Sequence, residues 1–267
     1  SETFLPNDTK KNTYTDIHQY PALGTYTISM TDPNRNAGII NINNGISVII
    51  PFYIQTTFTF LNPQFQGDNN SPILLQPPID FGCVGQIFKH NPNAFDPDGD
   101  SLAYELITPL EGVGQEVPDY EFPDQVMPIG NDARLDPITG DFIWITPQQE
   151  GEYNIAILIK EYRNGRLINS MIRDMQIFID RCQNVPPRVE APEEICVIAG
   201  ETIEFEVTAE APLFEMDQLV KLTALGGPFS LDNAPARFDV SNNFENDPLV
   251  GRFVWETNCN HIRKEPY

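Results

Sequence analysis

Asp96, Asp98 and Asp100 fall within five residues of "NPNAFDPDGDSLAYEL". Carboxylates at alternate positions on a tight turn are hard oxygen donors of the kind that calcium collects, six to eight at a time, together with backbone carbonyls and water. The spacing differs from the helix–loop–helix calcium loop, which needs Gly at its sixth position and Glu at its twelfth; here Gly99 is fourth and Ile107 twelfth. An ion site would therefore have to borrow ligands from elsewhere in the fold. Alternatively, Pro97 and Gly99 set a solvated turn and the aspartates cap backbone N–H groups. Carboxylates so crowded then repel one another by roughly 1 kcal/mol per close pair at a surface, a cost that a cation removes. Magnesium fits less well than calcium because it demands strict octahedral geometry.

Other chemistry is hard to find. There is no G-x-S-x-G elbow, no phosphate-cradling glycine loop and no cysteine–histidine pair at a recurring interval. His18, His90 and His261 lack the spacing of a zinc site, and no CxxC occurs. Acidic neighbours such as Asp98 with Asp100, or Glu193 with Glu194, sit too close in sequence to face each other across a glycosidase cleft. A non-catalytic protein is expected. With 38 acidic against 16 basic residues and a net charge of -22, the chain repels nucleic acid and favours cations. No apolar run reaches the ~18 residues of a membrane-spanning helix, and "ISVIIPFYI" is broken by Pro51. The opening "ETFLPNDTKK" lacks the features of a signal peptide, so an export signal is expected to have been removed or to lie outside this stretch. Four cysteines are compatible with two disulfides in an oxidising compartment, or with free buried thiols.

The elements that would carry the aspartates are strands. Turn signals ("DPNRNAG", "NNG", "DPDGD", "DPITGD", "EYRNGR") separate short stretches rich in Ile, Val, Tyr, Phe and Thr, such as "GTYTISM", "GDFIWIT" and "EYNIAILIK". Their period of two predicts an all-β chain, and 24 prolines agree with it. The chain also repeats itself. "PPIDFGCVGQIF" leads to Trp144 in "GDFIWIT" at nearly the spacing by which "APEEICVIAGETIEF" leads to Trp255 in "GRFVWET", and each copy opens after a proline-rich joint. A hairpin with Asn164-Gly165 at its tip follows Trp144, and "GTYTISMTDPNRNAG" echoes it near the start. These copies predict tandem β domains: 1–71 as the end of one, 72–183 complete, and 184–267 cut short, within a longer repeat protein. A bolder alternative to plain truncation has the N-terminal hairpin completing the last domain of a neighbouring copy.

"FDPDGDSLAYEL", "LDPITGDFIWITP" and "GEYNIAILIKEY", in that order, resemble the cadherin-like and immunoglobulin-like repeats of bacterial surface proteins. The segments around Cys83 ("NSPILL…CVGQIF") and "FVWETNCNHIRKEPY" further resemble large exported proteins of gliding Bacteroidetes. The resemblance implies a β-sandwich array on the cell surface, export by the type IX route, and a role in adhesion or gliding towards an unidentified glycan or protein. In such repeats the DPDGD turn sits near the end of the penultimate strand, which makes Glu161 the candidate borrowed ligand beside Asp96, Asp98 and Asp100. The third copy departs from the pattern: only Glu210, Glu215 and Asp217 remain, as scattered acids. The alternative from another class is an accessory or carbohydrate-binding module of an exported polysaccharide-degrading enzyme.

Cys83 near the first strand of the complete domain and Cys182 just past its last strand are expected to pair, as are Cys196 and Cys259 in the third copy; Cys182 with Cys196 is the competing arrangement. Trp144 and Trp255, at matched strand positions, are expected in the cores, and Tyr26 and Tyr153 at strand starts read as corner or core tyrosines.

Overall fold

The computed structural model describes residues 2–4, 9–127, 129–183, 185–212 and 219–267. They are predominantly β, as expected, with only short helical turns such as Pro63–Gln66 and Pro123–Val126. Among the described residues no helix is long and apolar enough to cross a membrane.

The longest element is the hairpin formed by strands Gly151–Arg163 and Arg166–Asp180. Asn164 (φ 53°) and Gly165 (φ 76°) both take the left-handed conformation that a tight two-residue turn requires, which is why Asn-Gly stands there. The register places Tyr153 opposite Ile177 and Ile155 opposite Met175. Ser101–Ile107 extends the sheet on one side of this hairpin. On the other side Phe52–Phe60 joins near the start of Arg166–Asp180, and Ile79–Cys83 runs parallel to its end. Gly24–Asp32 adds beyond Phe52–Phe60, and two short strands, Leu110–Gly112 and Gln115–Glu116, complete eight.

A three-stranded sheet of Phe88–His90, Phe142–Ile145 and Asp132–Leu135 faces this one and makes the architecture sandwich-like. Alternation decides the core. Tyr153, Ile155, Ile157 and Ile159 point inward with Met175, Ile177 and Ile179, and meet Phe88, Phe142 and Trp144 from the facing sheet. Trp144 is fully buried edge-on to Tyr153, with ring centres 4.7 Å apart. Both tyrosines expected at a corner or in the core bond backward over four residues: Tyr153 Oη donates to the Gln149 carbonyl (2.9 Å) and Tyr26 Oη to that of Ala22 (2.6 Å).

The other face of the hairpin is covered by residues 35–50, where Ile39, Ile42 and Ile50 pack with Val117. Burying that face places polar groups inside, where Arg35 pairs with Asp174 at 2.8 Å and the Asn41 amide bonds reciprocally with the Asn154 backbone, while Arg35 Nε and Asn154 Oδ1 have no partner. The sheet therefore runs across residue 71, where the repeat placed a domain boundary. The N-terminal hairpin is built into the sheet of the central segment of its own chain.

Past the proline-rich joint, Thr202–Glu210 pairs with Leu249–Glu256 from Thr202 to Ala209, flanked by Arg188–Glu190 and Arg237–Asp239. Trp255 is buried there, its indole N–H donating to the Ala234 carbonyl (3.0 Å). Glu215 and Asp217 lie outside the described residues.

Cys83 and Cys182 form a disulfide with Cα atoms 5.5 Å apart, because the parallel register sets Cys83 opposite Asp180. The second expected bridge is not formed: Cys196 and Cys259 are exposed free thiols, and Cys182 is engaged elsewhere. Continuing the ladder that sets Thr202 opposite Glu256 brings Ala199, not Cys196, opposite Cys259, and the chain has by then turned into Cys259–His261. A thiol reagent applied to the native, unreduced protein should accordingly label both Cys196 and Cys259; labelling of neither would mean that they pair in solution.

Candidate metal centre

Asp96 sits at the head of its turn. Its Oδ1 accepts the backbone N–H groups of Asp98 (3.0 Å) and Asp100 (2.8 Å), while Gly99, at φ 81°, supplies the left-handed step that closes the loop. The turn reading is thus correct for one oxygen of one aspartate. Asp100 then enters the strand Ser101–Ile107, which lies against the end of Gly151–Arg163, Leu102 facing Glu161. Glu161 continues the inward series that begins at Tyr153 and ends in apolar side chains at Ile159. A break in register between Glu161 and Tyr162 sets Asn169 directly opposite it. Such bulges re-aim side chains at the ends of sheets.

The result is a convergence of Asp96, Asp100 and Glu161, one carboxylate oxygen from each lying within 4.8 Å of the other two. Among the described residues it is the one group of three or more acidic, histidine or cysteine side chains so arranged. Asp96 and Glu161 are 1% exposed and Asn169 2%. Asn169 Nδ2 donates to Glu161 Oε2 (2.9 Å), yet Asp96 Oδ2, Glu161 Oε1 and Asn169 Oδ1 are buried without a hydrogen bond. Buried oxygens left unpaired are costly, roughly 1–3 kcal/mol each and more when charged. Burial above all pushes the Glu161 carboxyl up to about 7; the Asn69 and Asn169 amides pull it back, and the charges of Asp96 and Asp100 add to the rise. Asp96 is raised for the same main reason, against the N–H groups of its own turn.

Asp98, expected as a ligand, stands apart. Its carboxylate accepts the backbone and side-chain N–H groups of Asn70 (2.6 and 2.9 Å) and a longer contact from Arg163 (3.3 Å). Asp96 and Asp100 are buried where Asp98 is exposed, held outward by Asn70 and Arg163. Two residues that the sequence reading passed over complete the site. Asn169 is one. Arg163 is the other: its Nε bonds both oxygens of Asp100 (2.9 and 3.0 Å), Nη2 reaches Asp100 and Asn69, and Nη1 holds the carbonyls of Gln66 and Asp68. A signal for Arg163 was present, since it lies two residues beyond Glu161 on the same strand.

The loop also meets the C-terminal segment. Arg263 donates to the Asp96 carbonyl (3.3 Å) and lies over the rings of Phe95 and Tyr267, at 5.4 and 4.8 Å from their centres. The histidines remain separate. His90 is buried against Asp80 (2.8 Å) and His261 bonds Asn258 and the Asn233 carbonyl. Glu193 and Glu194 are exposed on the joint between segments.

The donor set fits calcium. It offers hard carboxylate and amide oxygens, those of Asp96 Oδ2, Glu161 Oε1 and Asn169 Oδ1 unpaired, without nitrogen or sulfur. Arg163 neutralises Asp100 but bonds neither Asp96 Oδ2 nor Glu161 Oε1. No family model matches the chain and no curated protein matches it, so the geometry carries the functional reading.

Proposed function

We propose that this chain is a non-catalytic segment of a secreted or cell-surface repeat protein, an adhesin or stalk, whose central immunoglobulin-like or cadherin-like β-sandwich is stabilised by Ca²⁺. The observation that carries the metal reading is the trio of buried, unpaired oxygens on Asp96, Glu161 and Asn169 beside Asp100. Three carboxylates and one guanidinium leave the pocket negative, and a divalent ion would remove both the repulsion and the unmet hydrogen-bonding capacity. Asp96, Asp100 and Glu161 would hold it, with Asn169 as a neutral donor and Asp98 outside.

Export is supported by the Cys83–Cys182 disulfide, since such bonds persist in oxidising compartments. A mechanical role is supported by position: the Asp96 loop touches Arg263, so whatever stiffens that loop stiffens its junction with the segment after it. The resemblance to surface repeats adds adhesion or gliding, with type IX export, and leaves the target glycan or protein open.

Calorimetric melting tests the reading. Calcium at about a hundred times its dissociation constant should add about 2.7 kcal/mol to the folded state, and a chelator should reverse it. Magnesium at the same level should do less. A midpoint that calcium and chelator leave unchanged would remove the ion from this account.

A further inference from the structure

Gly24–Asp32 lies at the rim of the large sheet. Among the described residues its one ladder partner is Phe52–Phe60, in unbroken register from Gly24 opposite Phe60 to Asp32 opposite Phe52. The outward half of its N–H and C=O groups is therefore open along nine residues. Sheet edges are ordinarily blunted by lysine, proline, a bulge or short length. From Gly24 to Thr31 this one has none of these, and no charge at all, in a chain of net charge -22. One face carries hydroxyls, with Thr25 paired to Thr59 (3.3 Å) and Thr27 to Thr57 (2.8 Å). The other carries Tyr26, Ile28 and Met30, with Ile28 56% and Met30 51% exposed. Their counterparts in the echoing hairpin, Tyr153, Ile155 and Ile157, are buried.

We propose that this edge is a self-association surface, on which a second copy of the chain pairs its own Gly24–Asp32 antiparallel about a two-fold axis. Self-complementarity selects this occupant. Centred on Ile28, the pairing sets Tyr26 against Met30, Thr27 against Ser29 and Thr25 against Thr31, so apolar meets apolar and hydroxyl meets hydroxyl. Asp32 falls opposite Gly24 instead of opposite its own copy. The contact is isologous, so it closes on a dimer and uses up both edges. Elsewhere two such acidic chains repel, and the uncharged strand is where they can approach.

Sedimentation velocity on the full chain over a dilution series should show a monomer–dimer equilibrium. Ile28→Lys sets two ammonium groups face to face at the axis and should weaken the dimer at least tenfold, about 1.4 kcal/mol, with the far-ultraviolet circular dichroism unchanged. Thr27→Lys, on the hydroxyl face, should do the same and covers the case in which the first variant disturbs the hairpin. A chain that stays monomeric at every concentration, or a dimer that survives both substitutions, would overturn the proposal; so would an extended peptide of another protein taking the edge while the chain remains a monomer.

Discussion

Glu161→Gln should abolish the calcium response and, in chelated protein near neutral pH, raise stability by roughly 2 kcal/mol. The carboxyl is 1% exposed and titrates at about 7 in the fold, against an ordinary value of 4.5. An acid whose folded value is raised holds its proton more tightly when folded. Its contribution is therefore fully present below pH 4.5 and is lost as pH rises through 7. Chelated wild-type protein should lose stability across that window. The variant should lose less, keeping only the slope from Asp96, Asp174 and Glu152, whose carboxyls burial also raises. Calcium should flatten the wild-type curve, because it favours the charged form. Urea midpoints at a series of pH values, with calcium or chelator, separate these cases. A variant that still responds to calcium, or that falls with pH as steeply as wild type, would take Glu161 out of the site.

Replacing Cys83 and Cys182 together by Ser should cost more, about 4–5 kcal/mol, since the bond closes a loop of about 100 residues in the unfolded chain. The loop contains Asp96, Asp100, Glu161 and Asn169, yet the bond touches none of them. The urea midpoint should fall and the slope should steepen as the unfolded chain expands. Calcium affinity of the folded variant should stay unchanged. A loss below about 1 kcal/mol would mean that the reduced chain already keeps these ends together.

Much of the candidate site was legible beforehand, for local reasons. An Asp-Pro-Asp-Gly-Asp turn advertises itself, because Pro97 and Gly99 restrict the backbone whatever surrounds them. Glu161 came from the resemblance to surface repeats, and its place agrees with the strand period, since it follows Tyr153, Ile155, Ile157 and Ile159 in the inward series. Asn169 was not legible. A two-residue Asn-Gly hairpin predicts Ile168 opposite Glu161, and only the bulge substitutes Asn169. Asp98 failed for the complementary reason: spacing along a turn does not say which carboxylates turn inward, and its partners Asn70 and Arg163 come from other parts of the chain.

Composition and period were enough for the β class, the core placement of Trp144 and Trp255, the two tyrosines at a corner or in the core and the Cys83–Cys182 pair, because each depends on alternation, turn chemistry or strand order. Which strands lie side by side depends on long-range pairing that no local pattern encodes. Tertiary structure alone put the Gly24–Phe60 hairpin into the central sheet, shifted Cys196 out of register with Cys259, and laid Arg263 against the aspartate loop. The physical reason is common to all three: a strand's period sets which face a side chain takes, whereas its neighbour is chosen by the burial and hydrogen bonds of the assembled sheet.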